Sequence, residues 1–197
     1  HHPAHPDRRF DADLGFLGNR LPDREARVEE FFFKPARELP GRRFLLGGSG
    51  WEDRRSELDN VSLLGHVYTR DHNAFNRTPR AVLNVHRESM ARYGFSPATR
   101  VFEAAGAEAC LITDPFEGIE MFLEPGREVL VAADGAEVAE HLHTLTPGRS
   151  REIGRAARRR VLSQHTYAHR AAQVDAVLEG VDPLAPRLQR ELQEVPA

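Results

Sequence analysis

The sequence of 197 residues is poor in several residue types, and each shortage excludes a class of protein. Cys110 is the one cysteine, so no disulfide forms within the chain, and we expect a reducing, cytoplasmic location. Lys34 is the one lysine, and the net charge of −3 offers no general attraction to nucleic acid. No apolar run approaches the roughly 18 to 20 residues of a membrane-spanning helix, so we expect no membrane span.

The remaining composition is that of a folded globular domain. Apolar residues make up 40% and charged residues 29% of the chain, and the length suits one domain. The chain starts with His1-His2-Pro3, without an initiator methionine or a secretory leader. We therefore expect a linker from a preceding region at 1–10, the domain at 11–180 and a C-terminal tail helix at 181–197. That tail carries an apolar stripe suited to a partner surface, at Leu184, Leu188, Leu192 and Val195.

Short apolar runs alternate with longer helical patterns along the chain. This alternation predicts a doubly wound α/β domain, in which helices cover both faces of a parallel sheet. The predicted strands are 13–18, 43–46, 61–65, 81–85, 109–113 and 129–131. The predicted helices are 23–39, one that Ser96 and Pro97 begin, a short one at 119–123, and three at 135–145, 150–164 and 167–179.

In an open α/β sheet a ligand binds in the crevice at the carboxyl ends of the strands, so the residues that follow each strand are candidates for a site. These positions are rich in glycine, hydroxyl groups and arginine, which bind phosphate oxygens. The candidates are Gly18, Asn19 and Arg20; Gly65, His66 and Val67; His86 and Arg87; and Glu117 and Gly118.

The predicted helix that begins near Ser96 adds a second phosphate-binding feature. Its N-terminus presents free N–H groups and partial positive charge, to which Ser96, Thr99 and Arg100 add donors. Glu103 lies one turn further along the same face, where its carboxylate can accept two ribose hydroxyls. The same residues are also compatible with an ordinary helix start and a structural Arg100–Glu103 pair, and spacing alone leaves both interpretations open.

Other chemistries have weaker support in the sequence. It contains no G-x-S-x-G nucleophile elbow, no P-loop lysine and no complete G-x-G-x-x-G fingerprint. His165 and His169, four apart, are compatible with one helix face, but no third ligand is near and we predict no metal site. The arginine run 155–160 is typical of a solvated helix face.

An ordered series of segments resembles a known family. The series is Arg100–Gly106 (RVFEAAG), Leu111–Asp114 (LITD), Glu117–Glu120 (EGIE) and Glu124–Leu130 (EPGREVL). Further matching segments are Asp13–Asn19, Asn60–Val67, Leu83–Arg87 and His165–Arg170. Together they resemble the C-terminal domain of CgeB-like (spore-maturation type) glycosyltransferases, which have the two-domain GT-B architecture. The resemblance extends from about residue 11 to residue 180.

The resemblance implies a domain that binds a nucleoside-diphosphate sugar as donor substrate, without a metal or another cofactor. It implies that Gly18 and Asn19 approach the diphosphate and that residues 65–67 flank the nucleobase. Ser96, Thr99 and Arg100 would contact phosphate. Glu103 would hold the ribose, and Arg100 with the helix dipole would stabilise the departing diphosphate.

Two departures from the family pattern keep other functions open. Phe95 stands where many retaining relatives carry the first of two glutamates, so retention of anomeric configuration is not implied. A GT-B enzyme also needs an N-terminal acceptor domain, which would be this chain's partner. The alternatives are a nucleotide-sugar epimerase, with His86 and Glu117 as its only candidate groups, and a non-catalytic nucleotide-binding or assembly module.

Overall fold

The computed structural model describes residues 1–55 and 57–181, which form a parallel sheet flanked by helices. All strand pairs in the sheet are parallel, in the order β3-β2-β1-β4-β5-β6. The strands are β1 (Leu14–Leu17), β2 (Phe44–Gly47), β3 (Val61–Gly65), β4 (Ala81–Asn84), β5 (Leu111–Thr113) and β6 (Leu130–Val131). This topology is the Rossmann-like, doubly wound arrangement, so the predicted fold class is confirmed.

Helices connect the strands and extend beyond the last one. They are α1 (Pro22–Val28), α2 (Lys34–Glu38), α3 (His72–Arg77), α4 (Glu88–Tyr93), α5 (Thr99–Gly106), α6 (Gly135–Thr144), α7 (Pro147–Gln164) and α8 (Tyr167–Leu178). The described residues also contain four short 3₁₀ segments, which are Arg8–Phe10 before β1 and, further along the chain, Glu52–Arg54, Thr69–Asp71 and Ile119–Met121. The chain divides into two compact units, His1–Val161 with the sheet and Leu162–Ala197 with α8.

The core of the first unit lies on both faces of the sheet. Successive residues of β4 point to opposite faces, so that Leu83 packs with Phe32 and Phe44 while Val82 packs with Val101 and Leu111. All of these side chains are almost completely buried. Burial on both faces explains why the strands are continuous apolar runs.

The predicted helix 23–39 forms, but with a π-helical turn at Glu29–Phe33 between α1 and α2. Within this turn Phe31, Phe32 and Phe33 are all buried. Arg27, in the last turn of α1, contacts the buried Asp114 carboxylate at 2.5 Å.

Two short helices, α3 and α4, were not predicted, and the start of α5 differs from its prediction. The helix begins at Thr99 with Ala98 as its N-cap, so the prediction that Ser96 caps it was wrong. Ala98 remains extended because its N–H donates to His86 Nε2, a partner outside the helix. The predicted tail stripe at 184–195 lies outside the described residues.

In the second unit, α8 begins with a capping box formed by Thr166 and His169. His165 precedes the helix, and its Nδ1 lies 2.6 Å from the Arg170 guanidinium. The two histidines therefore do not share a helix face, because only His169 is helical.

Candidate functional site

A cavity of about 360 Å³ opens at the carboxyl ends of β1 and β4. These two strands are neighbours at the centre of the sheet, where the connections from β1 and β4 run to opposite sides. Such a switch point is where ligands bind in open α/β sheets. The cavity is lined by Phe16, Leu17, Arg24, Leu83, Asn84, Val85, His86, Arg87, Met90, Pro97, Ala98, Thr99 and Arg100.

Three arginines from three different segments face this cavity. Arg24 belongs to the first turn of α1, Arg87 precedes α4, and Arg100 lies in the first turn of α5. None of the described lining residues is an aspartate or a glutamate. The wall is therefore strongly cationic, although the chain as a whole is slightly acidic.

The Arg24 side chain reflects this concentration of charge. Burial lowers the pKa of its guanidinium, the positive charge of Arg87 lowers it further, Asp23 opposes this, and Arg100 adds a smaller lowering. Its Nη2 donates to the carbonyl oxygen of Asn19, whereas its buried Nε has no hydrogen-bond partner in the described structure. An anion in the cavity would relieve this repulsion.

Arg100 is held at the cavity by long hydrogen bonds. Its Nη2 donates to the Leu17 carbonyl oxygen at 3.2 Å, and its Nη1 to Asn76 Oδ1 at 3.4 Å. Glu103 lies 3.8 Å away, too far for a hydrogen bond. Burial lowers the pKa of Arg100, and the opposing attraction of Glu103 is the smaller effect. The guanidinium is therefore fixed in place but incompletely neutralised.

The N-terminus of α5 also faces the cavity, through Ala98 and Thr99. The Ala98 N–H donates to His86 Nε2 at 3.3 Å, and the exposed Thr99 opens the helix. The partial positive charge of a helix start thus adds to the three arginines. Ser96 is exposed and directly precedes the lining residues of this segment, which are Pro97, Ala98, Thr99 and Arg100.

His86, one of the lining residues, belongs to a buried network that also contains Asp114 and Arg27. Its Nδ1 lies 2.7 Å from Asp114 Oδ1, and Arg27 binds the other carboxylate oxygen at 2.5 Å. His86 and Asp114 have fully buried side chains. Burial alone would raise the pKa of the Asp114 carboxyl, but the hydrogen bonds from His86 and Arg27 hold it below its ordinary value.

The loop after β1 lies beside the cavity and does not line it. The Gly18 carbonyl oxygen accepts from Trp51 Nε1 at 2.8 Å, and Asn19 Oδ1 accepts from the Ser49 N–H at 3.0 Å. Arg20 pairs with Asp53 at 2.7 Å and with Glu25. The polar groups of Arg20 are therefore engaged within the chain, and the adjacent carboxylates raise its pKa.

The residues predicted to flank a nucleobase follow β3, two strands away from β1. Gly65 adopts a positive φ of 67° and accepts a hydrogen bond from the Gly48 N–H at 2.7 Å. His66 is exposed and packs edge-to-face on Tyr68, with ring centroids 4.7 Å apart. Val67 is buried.

Glu117 and Gly118 belong to the loop after β5 and hold the segment that leads to α5. The Glu117 carbonyl oxygen accepts from the Phe95 N–H at 2.7 Å. Gly118 has a φ of 89°, and a Cβ there would overlap the Phe95 ring. Glu103 lies on α5 between Arg100 and His1, whose Nε2 is 3.7 Å from its carboxylate.

Of the residues that the sequence indicated, the structure thus brings four together around the cavity, namely His86, Arg87, Thr99 and Arg100. Sequence reasoning missed Arg24 as part of the site, and it named Asp114 only as the last residue of the matching segment Leu111–Asp114. Arg24 could have been found, because a residue in the first turn of a helix that follows β1 lies at the carboxyl edge of the sheet. Among the described residues, no group of three or more His, Cys, Asp or Glu side chains is placed to hold a metal ion.

The sequence match now identifies the family. Residues 24–176 match the family model described as "Glycosyl transferase-like". The chain belongs to this family. The match includes Arg24, Arg87 and Arg100, so all three cavity arginines of this glycosyl transferase-like domain lie within the family region.

The fold of this glycosyl transferase-like domain also occurs in solved structures at low sequence identity. BGT of T4 phage, in complex with its UDP-glucose substrate, superposes with a TM-score of 0.67 at 18% identity over 91% of this chain and 51% of its own. HepE of Anabaena, in complex with UDP-glucose, superposes with a TM-score of 0.65 at 14% identity over 85% of this chain and 48% of its own. Sucrose-phosphate synthase from Thermosynechococcus elongatus superposes with a TM-score of 0.67 at 16% identity, over 85% of this chain and 44% of its own.

This chain therefore spans about half the length of those proteins, as expected for one Rossmann-like half of a GT-B architecture. A search of curated proteins gives no significant match. Within residues 1–55 and 57–181, no helix has the length and apolar character needed to cross a membrane.

Proposed function

We propose that this domain binds the nucleoside-diphosphate sugar of a glycosyltransferase, and that the protein transfers the sugar to an acceptor. One observation carries the proposal. Arg24, Arg87 and Arg100 line a cavity at the sheet's switch point, and the described lining residues include no carboxylate. A diphosphate is the part of a nucleotide sugar that would neutralise such a group, with the N-terminus of α5 as a further anion-binding element.

The cavity and the comparisons support this ligand class. Its volume of about 360 Å³ lies in the usual range of small-molecule sites. Two of the similar structures, BGT of T4 phage and HepE of Anabaena, contain UDP-glucose. During transfer, Arg100 and the α5 dipole would stabilise negative charge on the departing diphosphate.

The remaining parts of a donor molecule are assigned by position. We propose that Glu103 accepts the ribose hydroxyls, because its partly exposed carboxylate lies beyond hydrogen-bond distance of Arg100. Residues 65–67 would flank the nucleobase, and Gly18 and Asn19 would approach the diphosphate. Ser96 and Thr99, both exposed, would add hydroxyl donors to phosphate.

At a finer level, we propose a CgeB-like enzyme of which this chain is the C-terminal, cytoplasmic domain, with an N-terminal acceptor domain as its partner. The ordered motifs between Asp13 and Arg170 support that assignment. The epimerase alternative gains no support from the site, because His86 already contacts Asp114 with Nδ1 and the Ala98 N–H with Nε2. A non-catalytic module would share the donor cavity and differ in releasing no diphosphate.

Isothermal titration of the chain with UDP, GDP, TDP and ADP tests donor binding. We expect one nucleotide to be preferred and its affinity to fall at least about tenfold in Arg24→Gln, since a charge-assisted contact is lost. Arg159→Gln is the matched control, because Arg159 is exposed on α7 and outside the cavity. Absence of binding for all four nucleotides, or equal affinities of the two variants, would contradict the proposal.

Glu103→Ala tests the ribose contact separately. We expect it to weaken binding of UDP more than binding of 2′-deoxy-UDP, because the second ligand lacks one of the hydroxyls that the carboxylate would accept. An equal loss for both ligands would remove Glu103 from the ribose site and leave the diphosphate assignment intact.

A further inference from the structure

A completely buried carboxylate lies one residue layer behind the cavity wall. Asp114 directly follows β5, and its side chain is fully inaccessible to solvent. Its oxygens accept from Arg27 at 2.5 Å, from His86 Nδ1 at 2.7 Å and from the His86 backbone N–H at 3.1 Å. Arg27 supplies the opposite charge for this carboxylate.

These contacts define where the proton of His86 resides. An ionised carboxylate only accepts hydrogen bonds, so the Nδ1 atom that faces it carries the proton. Asn84 Nδ2 lies 3.2 Å from the same Nδ1 but donates to Thr113 Oγ1 at 3.0 Å. In a neutral imidazole Nε2 then has a free lone pair, and it accepts the Ala98 N–H at 3.3 Å. In the other tautomer, Nε2–H would point at that N–H, and the contact would become repulsive.

Ala98 occupies a decisive position, because it is the N-cap of α5 and stands two residues before Arg100. We infer that Asp114 is a positioning residue, which holds His86 in its Nδ1–H tautomer and thereby fixes the start of α5, with Thr99 and Arg100, at the cavity. The inference rests on the proposed function in one respect, that the cavity is where the diphosphate binds.

The isosteric change Asp114→Asn tests this role. The Asn oxygen is drawn to Arg27, which offers only donors, so the amide NH₂ faces His86 Nδ1 and favours the Nε2–H tautomer. We expect nitrogen NMR of labelled His86 to show Nδ1–H in the wild type and Nε2–H in the variant. The backbone amide signals of residues 98–100 should shift, and affinity for UDP and for inorganic pyrophosphate should fall about tenfold.

Asp59→Asn is the matched control, since it also removes one carboxylate, at an exposed turn before the amino end of β3. It should leave the tautomer, the amide signals and both affinities unchanged. The inference is overturned if wild-type His86 carries its neutral-pH proton on Nε2, or if Asp114→Asn leaves the signals of residues 98–100 in place. It is also overturned if the variant binds UDP as tightly as the Asp59→Asn control does.

Two further cases are covered, a variant that does not fold and a wild-type chain that binds no ligand. If Asp114→Asn does not fold, Arg27→Lys replaces it. Lys keeps the compensating charge, so the Nδ1–H tautomer should persist, and a change to Nε2–H would overturn the inference. If the wild type binds none of the four nucleotides and no pyrophosphate, the proposed function fails, whereas the tautomer and the amide signals still decide whether Asp114 positions α5.

Discussion

Arg100 Nη2 donates a hydrogen bond to the carbonyl oxygen of Leu17, at 3.2 Å. This contact joins the first turn of α5 to the last residue of β1, across the point where the sheet's connections diverge. It fixes a buried cation above the carboxyl end of the central strand. Because little side-chain entropy remains to be lost, such a preorganised arginine binds an anion more tightly than a mobile one would.

Replacing Arg100 with alanine should therefore weaken nucleoside diphosphate binding by about 10- to 100-fold. The loss should be smaller for the corresponding nucleoside monophosphate, which presents fewer phosphate oxygens to the cavity. Titration calorimetry of both ligands at two salt concentrations measures this difference. Arg159→Ala is the control for removal of an exposed arginine, and an equal loss for mono- and diphosphate would contradict a diphosphate contact.

The strands were predictable because a parallel sheet covered on both faces needs continuous apolar segments. Leu14–Leu17 and Ala81–Asn84 are such segments, with every residue buried. Helices α3 and α4 were not predicted, because each has only six residues, too few for a helical period to be recognised. Their stability comes from tertiary packing, which local sequence does not reveal.

The site was only partly predictable for a related reason. Arg87 and Arg100 follow a strand or open a helix, and those positions indicate the carboxyl edge directly. Arg24, in the first turn of the helix after β1, occupies the same kind of position, and its guanidinium lies 5.6 Å from the centroid of the Phe16 ring. Asp114 accepts a hydrogen bond from Arg27, which lies 87 residues earlier in the chain. No local sequence pattern encodes a pair of residues so far apart.

Gly48 connects the loops after three strands, and we expect it to tolerate no side chain. Its φ is 123°, and a Cβ would overlap the carbonyl group of Gly18, while its N–H donates to Gly65. Gly48→Ala should reduce the free energy of unfolding by about 3 kcal/mol or more. Urea denaturation measures the effect. Gly41→Ala, in open space, should change stability by less than about 1 kcal/mol, and equal effects would contradict this view of the loop.

The Asp114 carboxyl should make stability depend on pH in a defined direction. Its pKa is lowered in the folded state, so its contribution is present above the unfolded pKa of about 3.9 and is lost as pH falls through the folded value. Asp114→Asn should reduce the free energy of unfolding by about 3 kcal/mol near neutral pH, because Arg27 loses the buried negative charge that it pairs with. Urea denaturation measures the difference in the free energy of unfolding between wild type and Asp114→Asn. This difference should shrink below about pH 4, and a difference independent of pH would contradict the prediction.

Cys110 offers a direct probe of the amino-end side of the sheet. The residue just precedes β5, is 3% exposed, and burial raises the pKa of its thiol to about 12. Because the thiolate is the reactive form, the native protein should resist iodoacetamide at about pH 8, where an unfolded cysteine of pKa about 8.5 reacts readily. Mass spectrometry of samples alkylated with and without urea measures the difference. Labelling of the native chain as fast as that of the unfolded chain would show that the segment before β5 opens without global unfolding.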